Sequence, residues 1–280
     1  MLWDIDFTLI GASGVGLRLY ETVFRDMFGR ELPGYAPMAG RTDRAIIIDT
    51  LARAGIPEPR AQADQFIARL AALAPAGREL AAGRSIALPG AAAALTALAR
   101  YAPPAGAIAD GQAPLRAGAP AQDGAREPIR LQVVQSVLTG NVEQIAEVKL
   151  DAAGLTRHLD LGIGAYGDSH EVRAELVHLA RANAARRYGT DFAGQQTVLV
   201  GDTGLDVAAA LATGARAVGV ATGGTTAAEL AAAGAHAVLP DLADTPATLA
   251  AILASPGQGS GTASLPDPPD TGAPLSPARA

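Results

Sequence analysis

The chain has 280 residues, no cysteine and a formal net charge of −6, from 22 Lys and Arg against 28 Asp and Glu. Without cysteine there is no disulfide framework, thiolate metal site or cysteine nucleophile, which fits a reducing compartment, and the scattered basic residues exclude nucleic acid as the main partner. Hydrophobic residues reach 49% while aromatics stay at 4%, no apolar run attains the roughly 18 residues of a bilayer span, and the N-terminus lacks the basic-then-apolar layout of a secretion signal. The expectation is a cytoplasmic globular protein with no membrane partner, acting on a small molecule.

In chain order, a short apolar start at "MLW" reads as a first strand. An amphipathic segment follows, in which Leu17, Tyr20, Phe24, Met27 and Phe28 recur at helical spacing. Further helical patterns cover "RAIIIDTLARAGI" and "QADQFIARLAALA", separated from the first by the Pro- and Gly-bearing "GRELPGYAPMAGRTD". No strand pattern intervenes before Leu88. The period then changes, with strand-length apolar runs at "LQVVQSVLTGN", "LDLGIGAYGD", "TVLVGD" and "ARAVGVATG", "AHAVLPDL" as a candidate sixth strand, and helical segments between them. Apolar strands alternating with helices are what a parallel sheet covered on both faces requires.

The predicted architecture is therefore α/β: a doubly wound, Rossmann-like parallel sheet carrying an inserted α-helical domain. Residues 1–12 and 86–253 form the core, 13–85 the helical insert, 102–130 a flexible Pro- and Gly-rich insertion, and 254–280 a disordered tail.

Three strand ends carry reactive groups. The first leads into "DIDFT", with Asp4 and Asp6 two residues apart and so expected to address one small volume. "VLVGDTGLD" places Asp202 and Asp206 on the turn into a helix, and "QSVLTGN" ends in Thr139 and Gly140 ahead of a helix whose N–H groups can face an anion. Strand ends converge at the carboxyl edge of such a sheet. Two carboxylates about 4 Å apart repel by roughly 4 kcal/mol at an effective dielectric near 20, so this cluster calls for a cation. Hard oxygen donors without Cys or a nearby His suit Mg²⁺.

"DIDFT" after an apolar strand, Thr139 in "SVLTGN", and "GDTGLD", in that order, resemble the haloacid dehalogenase (HAD) superfamily, in its phosphoglycolate-phosphatase-like branch with a helical cap. The resemblance covers roughly residues 1 to 250 apart from 102–130. It implies a phosphatase in which Asp4 attacks phosphorus to form an aspartyl-phosphate. Asp6 would act as general acid and base, and Mg²⁺ would be held by Asp4, the backbone carbonyl of Asp6, Asp202 and Asp206. Thr139 and Gly140 would bind the phosphoryl oxygens of a small phosphorylated metabolite. The family's phosphate-binding lysine is not at its usual place; Arg173 in "HEVRAEL" is the favoured substitute and Lys149 in "AEVKLDA" the other candidate. Phe7 stands where the family most often has glycine. "MAGRTD" resembles the cap loop that faces the active site, which makes Arg41 the candidate substrate reader. The alternatives are a phosphosugar mutase of the same superfamily, distinguished by its product; a phospho-receiver domain, which has no use for a large helical insert; and a non-catalytic scaffold that binds partners.

Overall fold

The computed structural model describes residues 1–101 and 133–254. The insertion expected over 102–130, and the tail beyond residue 254, lie outside the described residues.

Five strands form one fully parallel sheet: β1 (Leu2–Trp3), β2 (Ser136–Val137), β3 (Val198–Gly201), β4 (Arg216–Val220) and β5 (Ala237–Leu239), in the order β2-β1-β3-β4-β5. Between β1 and β2 lie α1 (Val15–Phe28), α2 (Asp43–Arg53), α3 (Pro59–Ala72), α4 (Ala74–Ala81) and α5 (Ala91–Ala99). The remaining helices are α6 (Glu143–Ala152), α7 (Arg173–Tyr188), α8 (Gly204–Ala212), α9 (Ala227–Ala232) and α10 (Thr245–Leu253). Among the described residues, no helix is long and apolar enough to cross a membrane.

The period-two alternation of each strand sorts its side chains into two cores. Trp3, Val137, Val198, Val200, Val218 and Val220 face one layer, where α5, α6 and α10 contribute Leu95, Leu98, Leu150 and Ile252. Leu2, Leu199 and Ala217 face the other, against Leu176 and Val177 of α7, Val207 of α8 and Leu230 of α9. Each fully buried Leu, Val or Ile contributes about 1.5–3 kcal/mol, which explains how strands of two to five residues hold a sheet together. A third core belongs to α1–α4. Phe24, Ile47, Leu51, Phe66 and Leu70 pack there with Val142, Ile145 and Val148, which α6 and its N-cap supply.

One expected strand is absent. Within "LDLGIGAYGD", Leu161–Ile163 form a single 3₁₀ turn, and only Ala165 bridges in parallel to Leu138 at the edge of β2. Gly162 and Gly164 interrupt the extended run, so the segment follows β2 through isolated hydrogen bonds, Asp160 N–H to Gln135 O at 2.8 Å and Ala165 N–H to Val137 O at 3.1 Å. The sheet accordingly has five strands among the described residues and not six, with "AHAVLPDL" supplying β5.

Candidate active site

Asp4 is the first residue past β1, and its N–H donates to Val200 O of β3 at 2.9 Å, fixing it at the carboxyl edge of the sheet. Asp202 follows β3 directly. Asp206 lies in the first turn of α8, where Thr203 and Asp206 form a capping box: the Thr203 N–H and Oγ1 donate to Asp206 Oδ2 at 3.1 and 2.6 Å, and Thr203 Oγ1 accepts from the Asp206 N–H at 3.2 Å. These three buried carboxylates meet, with ligand atoms within 4.8 Å of one another. Gly201 and Gly223 make the approach feasible, because a Cβ would come 2.3 Å from Asp206 Cγ at the first and 1.8 Å from Asp202 Oδ2 at the second.

The Asp6 side chain has partners of its own. The strand has ended, and Phe7 adopts φ 59°, in the left-handed region that favours glycine. Asp4 and Asp6 nevertheless line the same cavity, as their two-residue spacing predicts, and Asp6 adds to the upward shift of the Asp4 carboxyl. The Asp6 carboxylate accepts from Lys149 Nζ at 2.7 and 2.9 Å and from Asn141 Nδ2 at 2.8 Å, and its side chain stands outside the three-carboxylate group.

Both candidate cations reach the site. Arg173 opens α7 and is buried; its Nη2 donates to Asp4 Oδ1 at 2.8 Å and lies 2.5 Å from Asp206 Oδ1, while Nη1 donates to Gly40 O at 3.2 Å. The contact to Asp206 is a close, buried ion pair. Lys149, also buried, bonds Asp6 and Asn141 Oδ1, the latter at 2.7 Å. Thr139 is fully buried, and its Oγ1 accepts from the Asn141 N–H and Nδ2.

The electrostatics follow from this crowding. Burial pushes the Asp4 carboxyl well above its ordinary value; Arg173 opposes the shift, and Asp206, Asp202 and Asp6 add to it. Burial, reinforced by Asp206, raises Asp202 to about 7. The Arg173 guanidinium is disfavoured by burial, yet Asp206 and Asp4 outweigh that and hold it above its usual range. Three buried carboxylates whose oxygens lie within 4.8 Å of one another fit a hard divalent cation.

Arg41 lies on the loop before α2. Its Nη2 pairs with Asp49 at 2.6 Å and its Nη1 donates to Pro37 O at 3.1 Å, so the guanidinium is engaged along its own segment. The backbone of this loop grips the sheet edge instead: Asp43 N–H donates to Gly140 O at 2.7 Å, Arg44 N–H to Gly167 O at 2.9 Å, and Thr42 Oγ1 to Glu171 O at 3.0 Å. Asp43 is a site residue that the sequence did not single out. Its Oδ1 accepts from Tyr20 OH at 2.7 Å and its Oδ2 from the Val142 N–H at 2.8 Å, and burial lifts its carboxyl to about 6 against those bonds. Asn141 is a second, joining Asp6, Thr139 and Lys149; the "TGN" that flagged Thr139 contained it.

A cavity of about 540 Å³ lies between the sheet edge and the helical segment, lined by Asp4, Asp6, Thr139, Arg173 and Asp202 on one side.

The HAD-hydrolase-like family profile matches residues 176–245. Over most of its length the chain also superposes on a hydrolase from Pseudomonas syringae, with a TM-score of 0.55 at 20% identity, covering 89% of this chain and 96% of that one. Its fold is that of the HAD-like hydrolases. A haloacid dehalogenase-like family hydrolase from Streptococcus pneumoniae shares this HAD-like fold, with a TM-score of 0.53, 15% identity, and coverage of 88% and 95%. CbbY from Rhodobacter sphaeroides, solved in complex with phosphate, gives 0.53 at 18%, covering 87% and 94%. No curated protein sequence matches this chain.

Proposed function

We propose that the protein is a divalent-metal-dependent phosphoric monoester hydrolase acting on a small phosphorylated metabolite, with Asp4 as nucleophile. The observation that carries this reading is the meeting of Asp4, Asp202 and Asp206 within 4.8 Å, the first two lining a cavity, with Arg173 bonded to the first of them. Asp4, Asp202 and Asp206 would hold Mg²⁺, with the Asp6 backbone carbonyl as a further ligand. When bound, the ion supplies positive charge that offsets the repulsion between a carboxylate and a phosphate ester.

Asp4 attacks phosphorus and the ester oxygen leaves, producing an aspartyl-phosphate and dividing one hard displacement into two easier ones. Asp6, oriented by Lys149 and Asn141, delivers a proton to the leaving oxygen and later takes one from the water that hydrolyses the acyl-phosphate. Thr139, the N–H groups near Gly140 and Arg173 grip the equatorial oxygens; a guanidinium can do so bidentately where an ammonium cannot. Helices α1–α4 serve as the cap, which keeps bulk water from the reacting atoms.

Purified protein should release inorganic phosphate from small phosphate monoesters with Mg²⁺ and not after chelation, and Asp4→Asn should abolish release. Full activity of that variant would overturn the assignment of the nucleophile.

A further inference from the structure

The cavity has a second wall. Helices α1, α2, α3 and α6, with the loop before α2, contribute Leu17, Met38, Ile46, Leu70 and Ile145 opposite the polar sheet edge. At about 540 Å³ it falls within the roughly 300–1,000 Å³ of small-molecule sites, leaving room for a leaving group well beyond a phosphoryl unit.

Its cations are already paired. The lining carries the carboxyls of Asp4, Asp6, Asp43 and Asp202 against three cations, Arg41, Lys149 and Arg173. Each cation has a carboxylate partner: Arg41 has Asp49 at 2.6 Å, Lys149 has Asp6 at 2.7 Å, and Arg173 has Asp4 at 2.8 Å and Asp206 at 2.5 Å. Among the described residues, no lining cation is left over for a second anion on the substrate. A carboxylate or further phosphate placed against the apolar wall would lose its hydration without gaining a counter-charge.

We propose that the group leaving with the ester oxygen is an uncharged alcohol with an apolar body, and that a second anionic group on the substrate is excluded. This rests on the phosphate-ester reading above. The wall formed by Leu17, Met38, Ile46, Leu70 and Ile145 receives the alkyl or aryl body, while among the described residues every cation that lines the cavity already has its carboxylate.

The experiment is calorimetric titration of the Asp4→Asn variant, with Mg²⁺ present, using phenyl phosphate and 4-carboxyphenyl phosphate. Phenyl phosphate, whose leaving group carries no charge, should bind at least about tenfold more tightly than the carboxylated ester. Equal or tighter binding of the carboxylated ester, or no binding of either, overturns the proposal. Leu17→Lys alters a half-exposed position of the wall that the fold tolerates. It should pull the ratio at least about threefold towards unity by supplying the missing counter-charge, and an unchanged ratio overturns the assignment of that wall. Turnover by the wild-type protein is read separately: both esters bound in the expected order but neither hydrolysed would sink the hydrolase reading and leave this one standing.

Discussion

Asp4 and Asp202 share one cause of perturbation, burial among like charges, and it has a measurable sign. A carboxyl raised in the folded state contributes stability that is complete below the ordinary carboxylate range and is lost as pH rises through the folded value, about 7 for Asp202. Metal-free protein should therefore weaken between about pH 4 and 8. Mg²⁺, which needs these groups ionised, should raise the melting temperature more at pH 8 than at pH 5.5. Differential scanning calorimetry with and without Mg²⁺ at the two pH values checks this; an equal rise at both would remove these carboxyls from the metal site. The same residues show how far the sequence can be read. Asp4, Asp202 and Asp206 were legible because each sits within a few residues of a strand end, where topology alone fixes position. Asp6 shares the cavity with Asp4 as its spacing predicts, whereas its partners Lys149 and Asn141 come from the distant segment around α6 and no local pattern points to them. Asp43 was invisible, since a carboxylate opening a helix is ordinary N-terminal chemistry until Tyr20 and Val142 are seen against it.

Elements were read more surely where periodicity was long. Helices α2 and α3 fall on the runs expected for them, and β3 and β4 on "TVLVGD" and "ARAVGVATG". "LDLGIGAYGD" failed because an apolar run with two glycines satisfies a strand template without committing its backbone to a ladder. Beyond the convergence of the strand ends, the contacts between elements have no local signature, and several of the tightest are backbone to backbone. A Cβ on Gly140 would lie 2.1 Å from the Arg41 carbonyl oxygen, and one on Gly167 would lie 1.8 Å from Gly140 O. Neither neighbour is a flexible side chain that could swing aside. Gly140→Ala should cost about 1–3 kcal/mol in denaturant unfolding and lower phosphate release together with it. Gly16→Ala in α1, with nothing within 4 Å, should leave stability unchanged or slightly higher. Equal behaviour of the two variants would refute the steric argument.

At the scale of the molecule, α6 belongs to two cores at once. Ala146 and Leu150 face the sheet while Ile145 and Val148 pack among α1–α4, so the helical insert cannot detach without exposing a helix that the sheet also needs. One cooperative transition is expected. The single tryptophan, Trp3, reports the sheet, and far-ultraviolet circular dichroism reports the helices; their urea midpoints should coincide. An earlier dichroism midpoint would mean that the insert melts alone. The join between insert and sheet is also where Gly140, Gly167 and Gly40 bring three stretches of main chain together: a Cβ on Gly40 would lie 2.4 Å from Thr203 Oγ1. Three hydrogen atoms, standing where any other residue would carry a carbon, thus set the width of the seam above the carboxylates, and with it how dry an acyl-phosphate formed beneath it would stay.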